Sequence, residues 1–198
     1  MKKALNLLAV MVVLGMLFGT AKADQVAFTA TLTGSQEVPP NASPGVGSAL
    51  VTLDTVTNLL TINVSFSGLL SPTIASHIHC CTPPGANATV ATQVPTFPGF
   101  PLGVTTGTYL ATFDLTQAST YNPAFIAAHG GTVAGAQAAF IAGLLSNQTY
   151  LNIHTMQFPG GEIRGQLINE VPEPATLLLM GTGLMAAVGA IRKRRVKR

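Results

Sequence analysis

The stretch Leu60-Thr61-Ile62-Asn63-Val64-Ser65-Phe66 alternates apolar and polar side chains at every step. A period of two residues places the apolar side chains on one face of a β-strand and the polar ones on the other. The same alternation runs through residues 26–33. Further strand candidates, separated by Gly, Pro, Asn and Ser, lie at residues 48–54, 74–81, 106–114, 150–156 and 162–168. About seven short strands of this kind predict an all-β fold, an antiparallel β-sandwich.

Two segments interrupt the strand pattern. Residues 82–103 contain five prolines, too many missing N–H donors for a central strand, so we expect a long loop there. Residues 122–148 begin with Asn122-Pro123, a favourable N-cap and first helical residue, and continue into a run rich in Ala, Phe and Leu. This segment predicts one or two short helices that cover one end of the sandwich.

The charge of the chain is distributed unevenly. Of the 198 residues 47% are hydrophobic and only 9% are charged, against about 25% charged residues in an ordinary soluble domain. The formal net charge of +3 arises at the two ends, because residues 24–170 contain six acids and a single base, Arg164. One arginine cannot form the basic face that phosphate binding needs, so nucleic-acid binding by this region is excluded.

The N-terminus has the three parts of a secretory signal peptide. Two lysines precede an apolar run over residues 4–18, and Ala21 and Ala23 supply the small residues that signal peptidase accepts. We therefore expect residues 1–23 to be removed. The alternative, an N-terminal membrane anchor, needs roughly 20 apolar residues, and this run is shorter.

The C-terminus carries a second tripartite segment over residues 171–198. A short motif (Val171, Pro172, Glu173, Pro174) precedes an apolar stretch at 175–191, which predicts a transmembrane helix, and six basic residues that hold the end in the cytoplasm. This tail resembles the PEP-CTERM sorting signal of Gram-negative bacteria. The resemblance implies transient anchoring in the inner membrane, recognition by an exosortase-type enzyme and release to the envelope or the extracellular matrix. A permanent tail anchor is the simpler alternative.

Three histidines on predicted strands are candidate metal ligands. His77 and His79 share a strand face about 6.6 Å apart, a spacing at which two imidazoles can lean onto one copper or zinc ion. His154 lies on the polar face of the strand at 150–156. An ordinary polar strand face is the alternative interpretation of the same residues.

The last two predicted strands place their polar faces together only if an odd number of residues connects them. We expect a three- or five-residue loop around residues 158–161, with His154 near Arg164. Arg164 is expected to neutralise Glu162 or a facing carboxylate, a structural role.

Cys80 and Cys81 are the two cysteines of the chain. Adjacent cysteines rarely bridge, and on a strand their side chains point to opposite faces, so two separate thiols are expected. Cys80 would pack in the core, and Cys81 would share the histidine face as a possible soft metal ligand or pair with another chain.

Catalytic motifs are missing from the sequence. It contains no Gly-x-Ser-x-Gly elbow, no phosphate-binding loop and no His-Glu-x-x-His helix, and its carboxylates are scattered, with Glu37 in a predicted loop. We therefore expect no enzymatic activity.

Three blocks of sequence resemble the CHRD domain, named after chordin. They are residues 33–40 (TGSQEVPP), residues 76–79 (SHIH), and residues 150–155 (YLNIHT) with 158–167 (FPGGEIRGQL). The resemblance implies an extracellular all-β domain over residues 24–170 with no established reaction. The strand histidines and the Gly-Glu-Ile-Arg-Gly run are also similar to blocks in copper/zinc superoxide dismutase, so the sandwich is expected to be immunoglobulin-like or superoxide-dismutase-like. The long metal-binding loop of the dismutase has no counterpart here, and dismutase activity is not expected.

These observations favour a secreted or envelope-displayed, non-enzymatic binding or matrix protein without a cofactor, whose partners include extracellular polysaccharide or matrix. The alternative is an envelope protein that binds copper or zinc through His77, His79 and His154, with Cys81 as a further candidate.

Overall fold

A computed structural model describes residues 25–169, so the predicted signal peptide and the segment 171–198 lie outside the described residues. The elements of the described part are β1 Gln25–Thr33, β2 Val46–Asp54, β3 Leu59–Ser67, β4 Thr73–Cys80, β5 Thr89–Val90, β6 Gly107–Asp114, α1 Pro123–Ala128, α2 Val133–Leu145, β7 Thr149–Thr155, β8 Ile163–Gln166 and β9 Ile168–Asn169. All strand pairs are antiparallel. The all-β prediction is confirmed.

The strands form one continuous curled sheet in the order β5-β4-β7-β8-β1-β2-β3-β6, with β9 also paired to β1. Strand β1 joins the two halves of the sheet, because it pairs with β2 along its whole length and with β8 and β9 on its other edge. Apolar side chains of both halves, such as Val51 and Ile62 in one and Ile78 and Leu151 in the other, belong to one buried core. The layers of the predicted sandwich are thus connected through β1.

The predicted helices cover one end of the sheet. Asn122 Oδ1 accepts a hydrogen bond from Ala124 N at 3.0 Å, which caps α1 as expected. Helix α2 buries Phe140 and Leu144 in the core, and its Gln137 donates to Asn58 Oδ1 at 2.8 Å in the turn between β2 and β3. No helix within residues 25–169 is long and apolar enough to cross a membrane.

Strand β7 is buried at all seven positions, on its polar face as well as its apolar face. The proline-rich segment 82–103, predicted as a loop, contributes the short strand β5 at the edge of β4. Backbone carbonyls from this segment contact side chains on the polar face of β4. The polar face of β4 and β7 is therefore an interior layer of the molecule.

The connection between β7 and β8 is seven residues long, 156–162, instead of three or five. Its odd length gives the expected register, in which Tyr150 lies opposite Gln166 and Asn152 opposite Arg164. The loop is longer because Glu162, predicted to begin the last strand, instead follows the turn formed by Phe158 O and Gly161 N.

Cys80 and Cys81 are joined to each other by a disulfide bond, so the prediction of two separate thiols is wrong. Strand β4 ends at Cys80, and the strand alternation that would separate the two side chains does not extend to Cys81. Both sulfurs pack against α2, where Cys81 Sγ lies 3.6 Å from Ala139 O. A Cβ added at Gly143 would overlap Cys80 Sγ, so this helix position has to be a glycine.

Candidate metal centre

Three histidines converge on the buried polar face of β4 and β7. His77 and His79 lie two residues apart on β4, and His154 lies on β7 opposite Ala75, next to His77 in the register. Each side chain is at most 8% exposed. The structure thus brings together the three histidines that the sequence identified as candidate ligands.

Each of the three rings binds a backbone carbonyl through one of its nitrogens. His77 Nε2 donates to Pro95 O at 2.7 Å, His79 Nδ1 to Ala88 O at 2.8 Å and His154 Nδ1 to Pro159 O at 2.9 Å. A carbonyl oxygen only accepts, so the ring nitrogen facing it carries the proton. A neutral imidazole has a single N–H, and the other nitrogen of each ring therefore keeps its lone pair.

The nitrogens that keep their lone pairs are His77 Nδ1, His79 Nε2 and His154 Nε2. His77 Nδ1 and His154 Nε2 lie 3.3 Å apart, and one nitrogen from each of the three rings lies within 4.8 Å of the others. Two nitrogens bound at 2.0–2.1 Å to one tetrahedral zinc ion are separated by about 3.3–3.4 Å. The spacing of this pair fits a shared metal ion.

The rings are neutral at neutral pH. Burial lowers the pKa of His77 to about 4, with a further contribution from the neighbouring His154, and burial likewise lowers the pKa of His79 to about 4. Burial also lowers the pKa of His154. Metal ligation requires unprotonated nitrogens, which these rings provide without a preceding proton release.

An aromatic stack borders the cluster on the β8 side. The ring of His79 stacks on Tyr150 with centroids 4.7 Å apart, and the Arg164 guanidinium carbon lies 3.7 Å from the centre of the Tyr150 ring. Tyr150 Oη accepts from Ala88 N at 3.1 Å. The carbonyl of Ala88 in turn accepts from His79 Nδ1. Ala88 is therefore hydrogen-bonded through both its N–H and its carbonyl, and it fixes the orientation of the His79 ring.

Arg164 lies on the same face as His154, as expected, but its partner is not Glu162. Its Nη1 donates to Asn87 Oδ1 at 2.9 Å and its Nη2 to Ala86 O at 3.0 Å. Because the connection between β7 and β8 is longer than expected, Glu162 lies in this loop and not on the strand face that carries Arg164. The prediction of a pair with Glu162 is therefore wrong, whereas the predicted alternative, a facing carboxylate, corresponds to Glu37, on whose pKa the charge of Arg164 acts.

Glu162 is a fully buried structural carboxylate. It accepts hydrogen bonds of 2.6 Å each from Ser43 Oγ, Leu70 N and Thr155 Oγ1. These donors come from three separate segments of the chain, so Glu162 ties together the loops at one end of the sheet.

Glu37 and Asn152 are the polar residues that sequence reasoning did not select. Glu37 is 6% exposed, and burial raises its pKa to about 7 although the positive charge of Arg164 acts in the opposite direction. Asn152 lies between His77 and Arg164 across three strands. The signal for both was their place inside the CHRD-like blocks; the alternation alone marked Glu37 only as a loop residue.

Cys81 does not belong to the cluster. Its sulfur is bonded to Cys80 and packs against α2, so no thiolate is available on the histidine face. The group of possible ligands in the described residues is His77, His79 and His154.

Comparison with known proteins identifies two segments. The model of the CHRD domain matches residues 28–167, and the PEP-CTERM protein-sorting motif matches residues 170–195. No curated protein and no solved structure matches the chain. The sorting motif marks a bacterial protein that is processed by an exosortase-type enzyme and delivered to the envelope or the extracellular space. With the family model covering most of its length, the chain belongs to the CHRD domain family and is sorted through a C-terminal PEP-CTERM motif.

Proposed function

We propose that the protein is a non-enzymatic metal-binding protein of the cell envelope, in which His77, His79 and His154 hold one copper or zinc ion. The observation that carries the proposal is the hydrogen bonding of the three rings. Each ring gives one N–H to a backbone carbonyl, the remaining nitrogens of His77 and His154 face each other at 3.3 Å, and one nitrogen of each of the three rings lies within 4.8 Å of the others. Metal-ligating histidines characteristically use their second nitrogen in this way, which orients the ring and fixes its tautomer.

The ligand set favours a particular class of metal. Imidazole nitrogens suit zinc and copper, whereas magnesium and calcium select oxygen ligands. Three protein ligands leave a fourth coordination position for a small molecule, as in metal sites that exchange a bound ligand. Copper and zinc are therefore the ions to test.

The cellular setting is part of the proposal. The basic tail after an apolar stretch supports transient anchoring in the inner membrane of a Gram-negative bacterium before the exosortase acts. The absence of recognisable catalytic motifs in the sequence supports a binding role over an enzymatic one.

The test is calorimetric titration of the mature protein with Zn²⁺ and with Cu²⁺. We expect one ion per chain for the wild type, and a loss of at least about 100-fold in affinity for the His77→Ala/His79→Ala double variant. His129→Ala is the matched control, because His129 Nδ1 lies 2.8 Å from Phe125 O on α1 and outside the cluster. Equal binding by the wild type and the double variant would refute the proposal.

A second role is supported by the outer face of β2, β3 and β6. Uncharged hydroxyl side chains form cross-strand pairs there, with Ser48 Oγ 2.9 Å from Ser65 Oγ and Thr61 Oγ1 3.0 Å from Thr112 Oγ1. These hydroxyl pairs, which lie on either side of the exposed Leu50 and Leu110, suit hydrogen bonding to an extracellular polysaccharide. Co-sedimentation of the mature protein with polysaccharide from its own matrix tests this role, and the protein should remain in solution if the role is wrong.

A further inference from the structure

The buried layer that contains His77, His79 and His154 is called the histidine layer below. Three buried polar atoms in or beside this layer have no hydrogen-bond partner: His79 Nε2, Asn152 Oδ1 and Glu37 Oε1. The three residues are 8%, 2% and 6% exposed. A buried polar atom without a partner costs about 1–3 kcal/mol, so three in one layer indicate a ligand that satisfies them together.

The three residues are neighbours in the fold. Asn152 lies directly opposite His77, which is two residues from His79 on β4. Glu37 reaches the same region from the loop after β1. A Cβ added at Gly161 would overlap Glu37 Oε1 and lie 2.9 Å from Asn152 Nδ2, so both side chains border the space beside this glycine.

With Glu37 ionised, all three atoms can only accept, so each requires a hydrogen-bond donor or a cation. The Nε2 of His79 carries a lone pair because its Nδ1 holds the ring proton. Asn152 Oδ1 is an amide oxygen, and the oxygens of an ionised Glu37 only accept. A metal ion supplies the acceptor of the imidazole lone pair, and a water molecule bound to that ion supplies two O–H donors. A hydrated metal ion therefore matches the chemistry of the complete set.

We propose that the metal ion binds a water molecule at its fourth coordination position, and that Asn152 Oδ1 and Glu37 Oε1 accept the two hydrogen bonds of this water. This inference rests on the proposed metal binding. Glu37 and Asn152 are then residues that determine which small molecule binds the metal. They select a ligand that donates hydrogen bonds and disfavour a small anion that has no proton to give.

The test uses azide, a protonless anion, with protein loaded with Cu²⁺. Metal loading is measured first, so that a failure of metal binding is recognised separately. Azide binding is then followed by the azide-to-copper charge-transfer band in the wild type, Glu37→Gln and Asp54→Asn. The glutamine amide can donate to azide, so we expect Glu37→Gln to bind azide about tenfold more tightly than the wild type. Asp54→Asn, which changes an acid at the turn between β2 and β3 and outside the cluster, should bind azide like the wild type.

A second measurement does not depend on the folding of a variant. The water-proton relaxation rate of the Cu²⁺-loaded wild type should fall when saturating azide displaces the bound water. Equal azide affinity in the wild type and Glu37→Gln, or a relaxation rate that azide leaves unchanged in the Cu²⁺-loaded wild type, would overturn the proposal.

Discussion

Three buried imidazoles that share one layer are neutral because water cannot reach them. Each proton is assigned to a nitrogen by a backbone carbonyl, from Pro95, Ala88 or Pro159. Protonating a second nitrogen would place a charge in a buried site beside other rings, which lowers the pKa of His77 and His79 to about 4. The lowered pKa keeps these rings unprotonated, as metal binding requires. It also makes the stability of the metal-free protein sensitive to acid.

We expect the unfolding free energy of the metal-free protein to fall as the pH decreases from about 6.5 to about 4. In this window the unfolded chain binds protons at His77 and His79 while the folded chain does not, because the unfolded pKa is about 6.5. Each histidine contributes up to about 1.4 kcal/mol per pH unit. Glu37 acts in the opposite direction between its ordinary pKa and about 7, but it is one group against the three histidines, since burial lowers the pKa of His154 as well. Urea denaturation at pH 7 and pH 5 with a chelator measures the effect.

His129→Ala should retain this pH dependence, because His129 lies outside the cluster. The His77→Ala/His79→Ala variant should lose most of it. An unchanged slope in the double variant would show that other groups control acid sensitivity.

At the scale of the elements, the hairpin of β7 and β8 and the loops packed on it build the site. The loop at 156–162 supplies Pro159 O to His154, and the segment 82–103 supplies the acceptors of His77 and His79. Glu162, at the end of the hairpin loop, holds the neighbouring loops through its three hydrogen bonds. The position of the histidine layer therefore depends on one buried carboxylate outside it.

Glu162→Ala is expected to destabilise the protein by about 3 kcal/mol, because it removes three hydrogen bonds to a fully buried carboxylate and leaves the buried Thr155 hydroxyl and the partly buried donors of Ser43 and Leu70 without their partner. Asp54→Ala is the matched control. Asp54 accepts from Val56 N and Thr57 N in an exposed turn, where water can replace the lost carboxylate, so a cost of about 1 kcal/mol is expected. Urea denaturation of both variants measures the difference, and equal costs would contradict the role assigned to Glu162.

At the scale of the whole molecule, the two ends of the domain meet on β1. This strand begins at Gln25, and its Phe28 pairs with Asn169, the last described residue. The predicted signal peptide ends before β1, and the matched sorting motif begins after β9. All the described strands therefore lie, along the chain, between the predicted signal peptide and the sorting motif.

Protein recovered from the outside of the native host is expected to lack residues 1–23 and the basic tail. Intact mass spectrometry checks this, and the remaining chain should be acidic because Arg164 is the one base of residues 24–170. An extracellular form that retains residues 192–198 would argue against removal by the exosortase.

Local sequence determined the elements of this protein. The alternation of Leu60 to Phe66 and the cap at Asn122 are short-range patterns that had their expected outcome. The connection between β7 and β8 has the expected odd parity and register, but it is longer than predicted. The shared face of His77 and His79 also followed from the two-residue period of a strand.

Only the tertiary structure decided the environment of those residues. Burial of the polar face depends on loop 82–103 folding over β4, the tautomers depend on carbonyls contributed by distant backbone, and the bond between Cys80 and Cys81 depends on where β4 ends against α2. Backbone oxygens carry no side-chain signature, and desolvation depends on what covers a residue. The sequence therefore identified the candidate ligands, while long-range packing set their protonation, their spacing and the unpartnered atoms at Asn152 and Glu37.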